Sequence, residues 1–134
     1  MKRKEWSYSV SLESNKFNDD ILFDYIIEKG IKLNSISVNA WIYTDNPDRY
    51  EAYINSVIKL NGKVIKESPI ETTTQGTAWS SCIYEFNKAI SSGYLTIETV
   101  GNNFKKGLNI VLKGYENGWC EFKRCTKKDA QLCD

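Results

Sequence analysis

Several short segments of this chain alternate hydrophobic and polar residues with a period of two. Such alternation predicts β-strands with one face toward a core and the other toward solvent. In the first of them Trp6 and Tyr8 fall on the hydrophobic face and are predicted to be core residues, whereas Trp41 and Tyr43 lie opposite the aliphatic face of their own strand. The alternating segments are residues 6–13, 36–43, 95–100 and 108–112, and residues 82–86 predict a further strand.

The most specific signal for a turn is Asn61-Gly62, which lies between two hydrophobic segments. Both central residues of a type I′ turn need φ > 0, and asparagine and glycine tolerate this best. A two-residue turn here predicts an antiparallel hairpin in which Leu60 faces Lys63, Lys59 faces Val64 and Ile58 faces Ile65.

Other segments are less clear. Residues 20–29 fit a short helix capped by Asp20 and ended by Gly30, but Phe23, Tyr25 and Ile27 also alternate, which favours a strand. Residues 68–81 are rich in serine and threonine and predict a long surface loop, with an edge segment near Ile70 as the alternative for that part. Residues 87–93 predict a short connection that includes at most one helical turn. Residues 114–118 predict a turn before a last strand at 119–123.

About seven to nine short strands separated by turns predict an all-β fold, an antiparallel β-sandwich or jelly roll. The sequence shows no internal boundary, so residues 1–134 are predicted to form a single domain.

Composition excludes several classes of function. The net charge is +1, which argues against a nucleic-acid partner, since such surfaces are usually strongly basic. The chain has no histidine, which removes Ser-His-Asp and Cys-His catalysis and imidazole metal sites. No hydrophobic run is long enough to span a membrane, and the N-terminal residues do not form a signal peptide.

The chain has 4 cysteines, namely Cys82, Cys120, Cys125 and Cys133. Their even number predicts two disulfides and an extracellular or cell-surface location. The favoured pairing is Cys125–Cys133 and Cys82–Cys120, although spacing alone does not select one of the three pairings. Four reduced thiols in a cytosolic protein are the alternative, and a four-thiolate zinc site without any C-x-x-C pair is a remote one.

Residues 54–112 resemble the galactose-binding-like jelly-roll modules that are attached to many glycosidases. The shared order is a hairpin with Leu60-Asn61-Gly62, an aromatic strand at 84–86, a turn that ends at Gly93 and an alternating strand at 95–100. The resemblance implies a ligand-binding sandwich. It transfers no binding residues, and the motif for the structural calcium found in many of these modules is not recognisable in this chain.

Aromatic and polar residues around the 44–49 segment are candidates for binding a sugar. Aromatic rings stack on the CH faces of a pyranose, and planar polar side chains bond its hydroxyls. Trp79 is either a further exposed ring in a binding loop or an anchor that holds this loop on the core. The alternative for Trp41 and Tyr43 is packing against a second sheet or a loop. The candidates are Trp41, Tyr43, Asp45, Asp48, Tyr50 and Trp79.

Asp45, Asn46, Asp48 and Glu51 offer oxygen ligands of the kind that Ca²⁺ prefers, but turn chemistry also explains them. No cofactor is therefore predicted, with calcium as a minor alternative.

The sequence predicts a protein that is not an enzyme, because no catalytic motif accompanies its many carboxylates. The first functional hypothesis is a non-catalytic β-sandwich that binds glycan. The alternative is a structural or protein-interaction subunit, such as a virion or fibre component, an adhesin or a secreted effector that docks on a cell-surface protein.

Overall fold

A computed structural model describes residues 4–14, 20–44, 52–72, 76–101 and 105–116. They form eight strands and no helix, which confirms the predicted all-β class. The strands are β1 (Lys4–Ser14), β2 (Leu22–Ile26), β3 (Ile31–Thr44), β4 (Ala52–Leu60), β5 (Lys63–Thr72), β6 (Gly76–Ile90), β7 (Tyr94–Val100) and β8 (Lys105–Glu116).

The strands build two antiparallel sheets that pack face to face. The front sheet has the order β1-β8-β3-β6, and the back sheet has the order β2-β7-β4-β5. The hydrogen-bonded pairs β1·β8, β2·β7, β3·β6 and β4·β5 are nested, as if one long hairpin had been rolled up. This nesting defines the jelly roll, which brings strands distant in sequence side by side.

The core lies between the sheets and consists of the inward residues of the alternating strands. Ile36, Val38, Ala40 and Ile42 of β3 are at most 1% exposed, as the alternation predicts. Leu112 of β8 is fully buried. Burial of one such aliphatic side chain contributes about 1.5–3 kcal/mol, so this core is the main stabilising element of the fold.

Aromatic rings close one open side of the sandwich, where β1 faces β2. The Trp6 ring lies 6.0 Å from that of Tyr25, and the Tyr8 ring stacks on Phe23 and Tyr25 at 6.3 and 5.8 Å. Trp6 packs against the core, as predicted. Tyr8 does not belong to the core, since it remains 42% exposed. The reason is its place on an edge strand, where neighbours cover only one side of an inward ring.

The Asn61-Gly62 turn joins β4 to β5 as predicted. Asn61 has φ 53° and Gly62 has φ 84°, the signs that a type I′ turn requires. Leu60 pairs with Lys63 and Lys59 with Val64, but Ile58 pairs with Lys66 and not with Ile65. A register shift between Ile58 and Lys59 causes the difference, because the extra residue on β5 forms a bulge that the turn alone does not predict.

The predicted loop at 68–81 is wrong for most of its length, whereas the alternative of an edge segment near Ile70 is confirmed. β5 continues to Thr72 and β6 begins at Gly76, so the segment consists mainly of two strands. Threonine has a high β propensity, and Pro69 is tolerated because β5 is an edge strand that needs no outer hydrogen bond. Residues 73–75 lie outside the described residues.

Three further boundaries differ from or extend the predictions. Residues 22–26 form a strand, which settles the choice between helix and strand. β6 continues through residues 87–90, where a short connection was predicted. β8 continues to Glu116, so residues 114–116 are not a turn. The predicted strand at 119–123 lies outside the described residues.

Of the four cysteines, Cys82 lies within the described residues, and its thiol is free. The predicted Cys82–Cys120 bridge is therefore not seen, and Cys120 itself lies outside the described residues. Cys125 and Cys133 lie there too, so their pairing and the extracellular location inferred from it stay predictions. None of the described elements is a helix that could cross a membrane.

Candidate functional site

The outer face of the front sheet combines aromatic and small polar side chains. On this face the residues of β1, β8, β3 and β6 form rows across the sheet, because directly paired residues of antiparallel strands point to the same side. One row contains Glu13, Gly107, Trp41 and Trp79, and the next contains Ser11, Asn109, Asn39 and Ser81. A flat surface therefore places an aromatic row directly beside a polar row.

The Trp41 indole lies flat enough on β8 to cover Gly107. A Cβ atom built on Gly107 would lie 2.3 Å from Nε1 and 2.4 Å from Cε2 of Trp41. Gly107 is consequently buried although it belongs to the outer face. Glycine is the residue that lets the ring lie this close to the sheet, and the contact fixes the position of the indole.

Trp79 stands beside Trp41 on the neighbouring strand. The ring centroids are 6.3 Å apart and the planes are tilted by 49°, a geometry typical of favourable aromatic pairs. Trp79 is 64% exposed, and Tyr43, one row further along β3, is 37% exposed. Trp41, Tyr43 and Trp79 thus form one aromatic surface, with the half-buried Trp41 as its base.

The adjacent polar row is internally hydrogen-bonded, and we call it the polar ladder. The Ser11 hydroxyl donates to Oδ1 of Asn109 over 2.7 Å, and the Ser81 hydroxyl donates to Oδ1 of Asn39. Asn39 and Asn109 are themselves directly paired. Because both carboxamide oxygens accept serine hydroxyls, the NH₂ groups are what these asparagines can donate to a ligand.

The predicted site residues divide into two groups. Trp41, Tyr43 and Trp79 come together on the outer face, although Trp79 lies within β6 and not in a loop. Asp45, Asp48 and Tyr50 lie outside the described residues, and so do Asn46 and Glu51 of the calcium alternative. Among the residues described, no group of three acidic or cysteine side chains is placed to hold a metal ion.

Sequence reasoning missed Gly107 and the polar ladder. The asparagines occupy outward positions of alternating strands, where a polar residue is expected and carries no special signal. Their pairing depends on β3 lying beside β8, and that neighbourhood is a property of the jelly roll.

The outer face of the back sheet has a different character. Nζ of Lys59 lies 2.9 Å from a carboxylate oxygen of Glu98, and the Tyr94 hydroxyl donates to Asp24 over 3.2 Å. These two pairs lie among exposed aliphatic side chains such as Leu22 and Ile26, and the described residues of this face form no comparable cluster of rings. This contrast makes the front sheet the better candidate for a binding surface.

Cys82 and Tyr25, two side chains with a raised pKa, do not belong to the aromatic surface. Burial raises the pKa of the Cys82 thiol, against smaller opposing effects of Ser68 and Lys66. Burial also raises the pKa of Tyr25; the charge of Glu28 adds to this effect and a hydrogen bond with the Glu28 backbone opposes it. At both residues the leading cause is desolvation. Neither pKa shift is therefore a sign of a catalytic centre, where charged partners would be arranged around the group.

Comparison with known proteins reveals the fold class alone. No family model and no curated protein matches the chain. Dimeric latent PorU from Porphyromonas gingivalis is similar in structure, with a TM-score of 0.54 and 10% identity over 87% of this chain. The match covers only 13% of the PorU chain.

Two further structures show weaker similarity. One is that of Desmodium yellow mottle tymovirus, with a TM-score of 0.47 and 5% identity over 87% of this chain and 89% of the other. The second is the CBM36-1 domain of a multidomain xylanase from the hindgut metagenome of Trinervitermes trinervoides. Its TM-score is 0.40, with 13% identity over 83% of this chain and 97% of that domain. By its own strand order, the described part of the chain is an antiparallel jelly-roll sandwich.

Proposed function

We propose that this protein is a non-catalytic binding module that recognises glycan on the outer face of its front sheet. The observation that supports the proposal is the contiguity of the aromatic surface and the polar ladder. A pyranose presents an apolar CH face and a rim of hydroxyls, and this arrangement offers a partner for each.

Each element has a distinct role in this proposal. Trp79, as the most exposed ring, stacks on the sugar, and Trp41 supports it from the side. Asn39 and Asn109 donate hydrogen bonds to hydroxyl oxygens from positions that their serine partners fix. Pre-ordered side chains lose little conformational freedom on binding, which favours affinity from a small surface.

A glycan array probed with the purified protein tests the proposal, followed by titration of each hit with tryptophan fluorescence as the readout. We expect a saturable hit that Trp79→Ala weakens by at least about tenfold, a loss of about 1.4 kcal/mol. Leu22→Ala is the matched control, because Leu22 is 62% exposed but lies on the back sheet. A hit that neither Trp79→Ala nor Trp41→Ala weakens would place the site elsewhere and overturn this assignment.

A structural or protein-interaction subunit is a second candidate, and one observation favours it. Among the described strands β6 is an edge of the front sheet, and its residues 76–84 carry no charge. Exposed edge strands usually carry charges, prolines or bulges that prevent pairing with another chain, as Pro69 and the bulge do on β5. A strand of a second copy would add to β6 and bury Trp79 and Ile83, which is 61% exposed.

Light scattering on the folded protein distinguishes the two candidates. A stable oligomer that Ser81→Pro dissociates, together with a blank glycan array, would favour assembly, because proline blocks strand addition in the middle of β6. A monomer with a sugar-sensitive tryptophan signal would favour the glycan-binding module.

A further inference from the structure

A hollow of about 730 Å³ opens where the first residues of β1 meet the last residues of β8. Its wall combines charged, amide and aromatic groups, a mixture that suits a polar ligand. It is lined by Glu5, Trp6, Ser7, Asn34, Lys113, Gly114 and Tyr115.

Part of the wall of the hollow belongs to the same outer face as the aromatic surface, whereas Trp6 occupies an inward position of β1 and packs against the core. Glu5 pairs with Tyr115 and Ser7 with Lys113, in phase with the pair Ser11–Asn109 of the polar ladder. Since the register of β1 with β8 has no shift, all these side chains point to the same side of the sheet. Asn34 enters the wall because the register of β3 shifts between Leu33 and Ser35.

A continuous path along the outer face of β8 connects the hollow with the aromatic surface. Lys113 follows Gly107 by six positions along β8, a distance of about 20 Å at about 3.3 Å per residue. Serines line both sides of this path, Ser7, Ser9 and Ser11 on β1 and Ser35 and Ser37 on β3. Small hydroxyl side chains leave room for a ligand above the sheet and offer it hydrogen bonds.

We infer that the ligand is a neutral, linear oligosaccharide that lies along the strands, with one end on Trp79 and the other in the hollow. This inference rests on the proposed function and adds the length and charge of the ligand. A single sugar would fill only one end of a path about 20 Å long. Glu5 and Lys113 are both exposed and opposite in charge, so each can bond a hydroxyl, whereas a charged ligand would meet one like charge.

Isothermal titration with a length series tests the inference. The probes are β-1,4-linked oligosaccharides of glucose, xylose and mannose, each from the disaccharide to the hexasaccharide. We expect the Kd to fall by about tenfold or more between the disaccharide and the pentasaccharide of the preferred series and then to level off, since added units contact protein only along the path.

Variants separate the two ends of the path. Lys113→Ala is expected to raise the Kd of the pentasaccharide about threefold to tenfold and to leave that of the disaccharide unchanged, whereas Trp79→Ala raises both. Lys63→Ala, which removes an exposed lysine at the start of β5 in the back sheet, is the control and leaves both constants unchanged.

Failure of this inference is distinguishable from failure of the proposed function. Affinities that do not depend on length but still depend on Trp79 would overturn the extended ligand and leave a glycan-binding module. A stronger preference for uronic-acid or sulfated oligosaccharides would overturn the neutral ligand. Absence of binding by folded protein to every probe and to the whole array would overturn both.

Discussion

The contact between Trp41 and Gly107 allows a sharp test of the proposed surface, because one added methyl group should move one ring. In Gly107→Ala the new Cβ would lie between 2.3 and 2.5 Å from three indole atoms. Ordinary contact between such atoms needs about 3.5 Å, so the ring must retreat by about 1.2 Å. The indole is half-buried on an outer face and can move toward solvent without disturbing the core.

The expected cost in stability is therefore at the low end for overpacking, about 1 kcal/mol. For a domain of this size that corresponds to a fall in Tm of about 4 °C. The expected effect on the ring is larger, since its fixed position depends on the glycine. Trp79 should respond as well, because its ring lies only 6.3 Å from that of Trp41.

Fluorine NMR of protein that carries 5-fluorotryptophan can detect this movement. The chain has 4 tryptophans, and Trp41→Phe and Trp79→Phe assign two of the signals. We expect Gly107→Ala to shift the signals of Trp41 and Trp79 and to leave the other two in place. Ser9→Thr is the matched control, because it adds a methyl group to the same face at an exposed position of β1. If both signals stay in place in folded Gly107→Ala, the ring does not rest on the glycine and the proposed surface is wrong.

Three further predictions concern the fold. Leu112→Ala should lower the free energy of unfolding in urea by about 2–5 kcal/mol, whereas Leu22→Ala should change it by less than about 0.5 kcal/mol; similar losses would contradict the placement of the core. Gly62→Ala should lower the free energy of unfolding by about 1 kcal/mol, because alanine is strained at a φ of 84°. No atom lies within 4 Å of the added Cβ, so a steric clash does not contribute. An unchanged Tm would argue against the type I′ turn. Cys82 should react with iodoacetamide more slowly at pH 8 in folded than in urea-unfolded protein, as read by peptide mass spectrometry, because burial raises its pKa and leaves less thiolate. Equal rates would show that the thiol is not shielded.

The sequence alone determines the local features of this protein. Period-two alternation predicts which face of β3 is buried, because the geometry of a single strand sends successive side chains to opposite sides. For the same reason Trp41 and Tyr43 are recognisable from sequence as outward rings. Asn61-Gly62 predicts its turn because the dihedral angles depend on those two residues alone.

Local signals fail where the neighbours of a strand decide the outcome. The serine- and threonine-rich segment around Pro69 resembles a loop, yet it extends β5 because an edge strand accepts a proline. Tyr8 occupies an inward position but stays 42% exposed, since an edge strand has a neighbour on one side only.

The candidate site is therefore only partly a property of the sequence. Its rings are visible in the alternation, but their contact with Gly107 and with the polar ladder requires β8 to lie between β1 and β3. About sixty-five residues of chain separate Trp41 from Gly107, and only the rolled topology brings them into contact. Period-two patterning fixes which way a side chain points within its strand, whereas the side chains it meets depend on long-range strand pairing, for which this sequence carries no local signal.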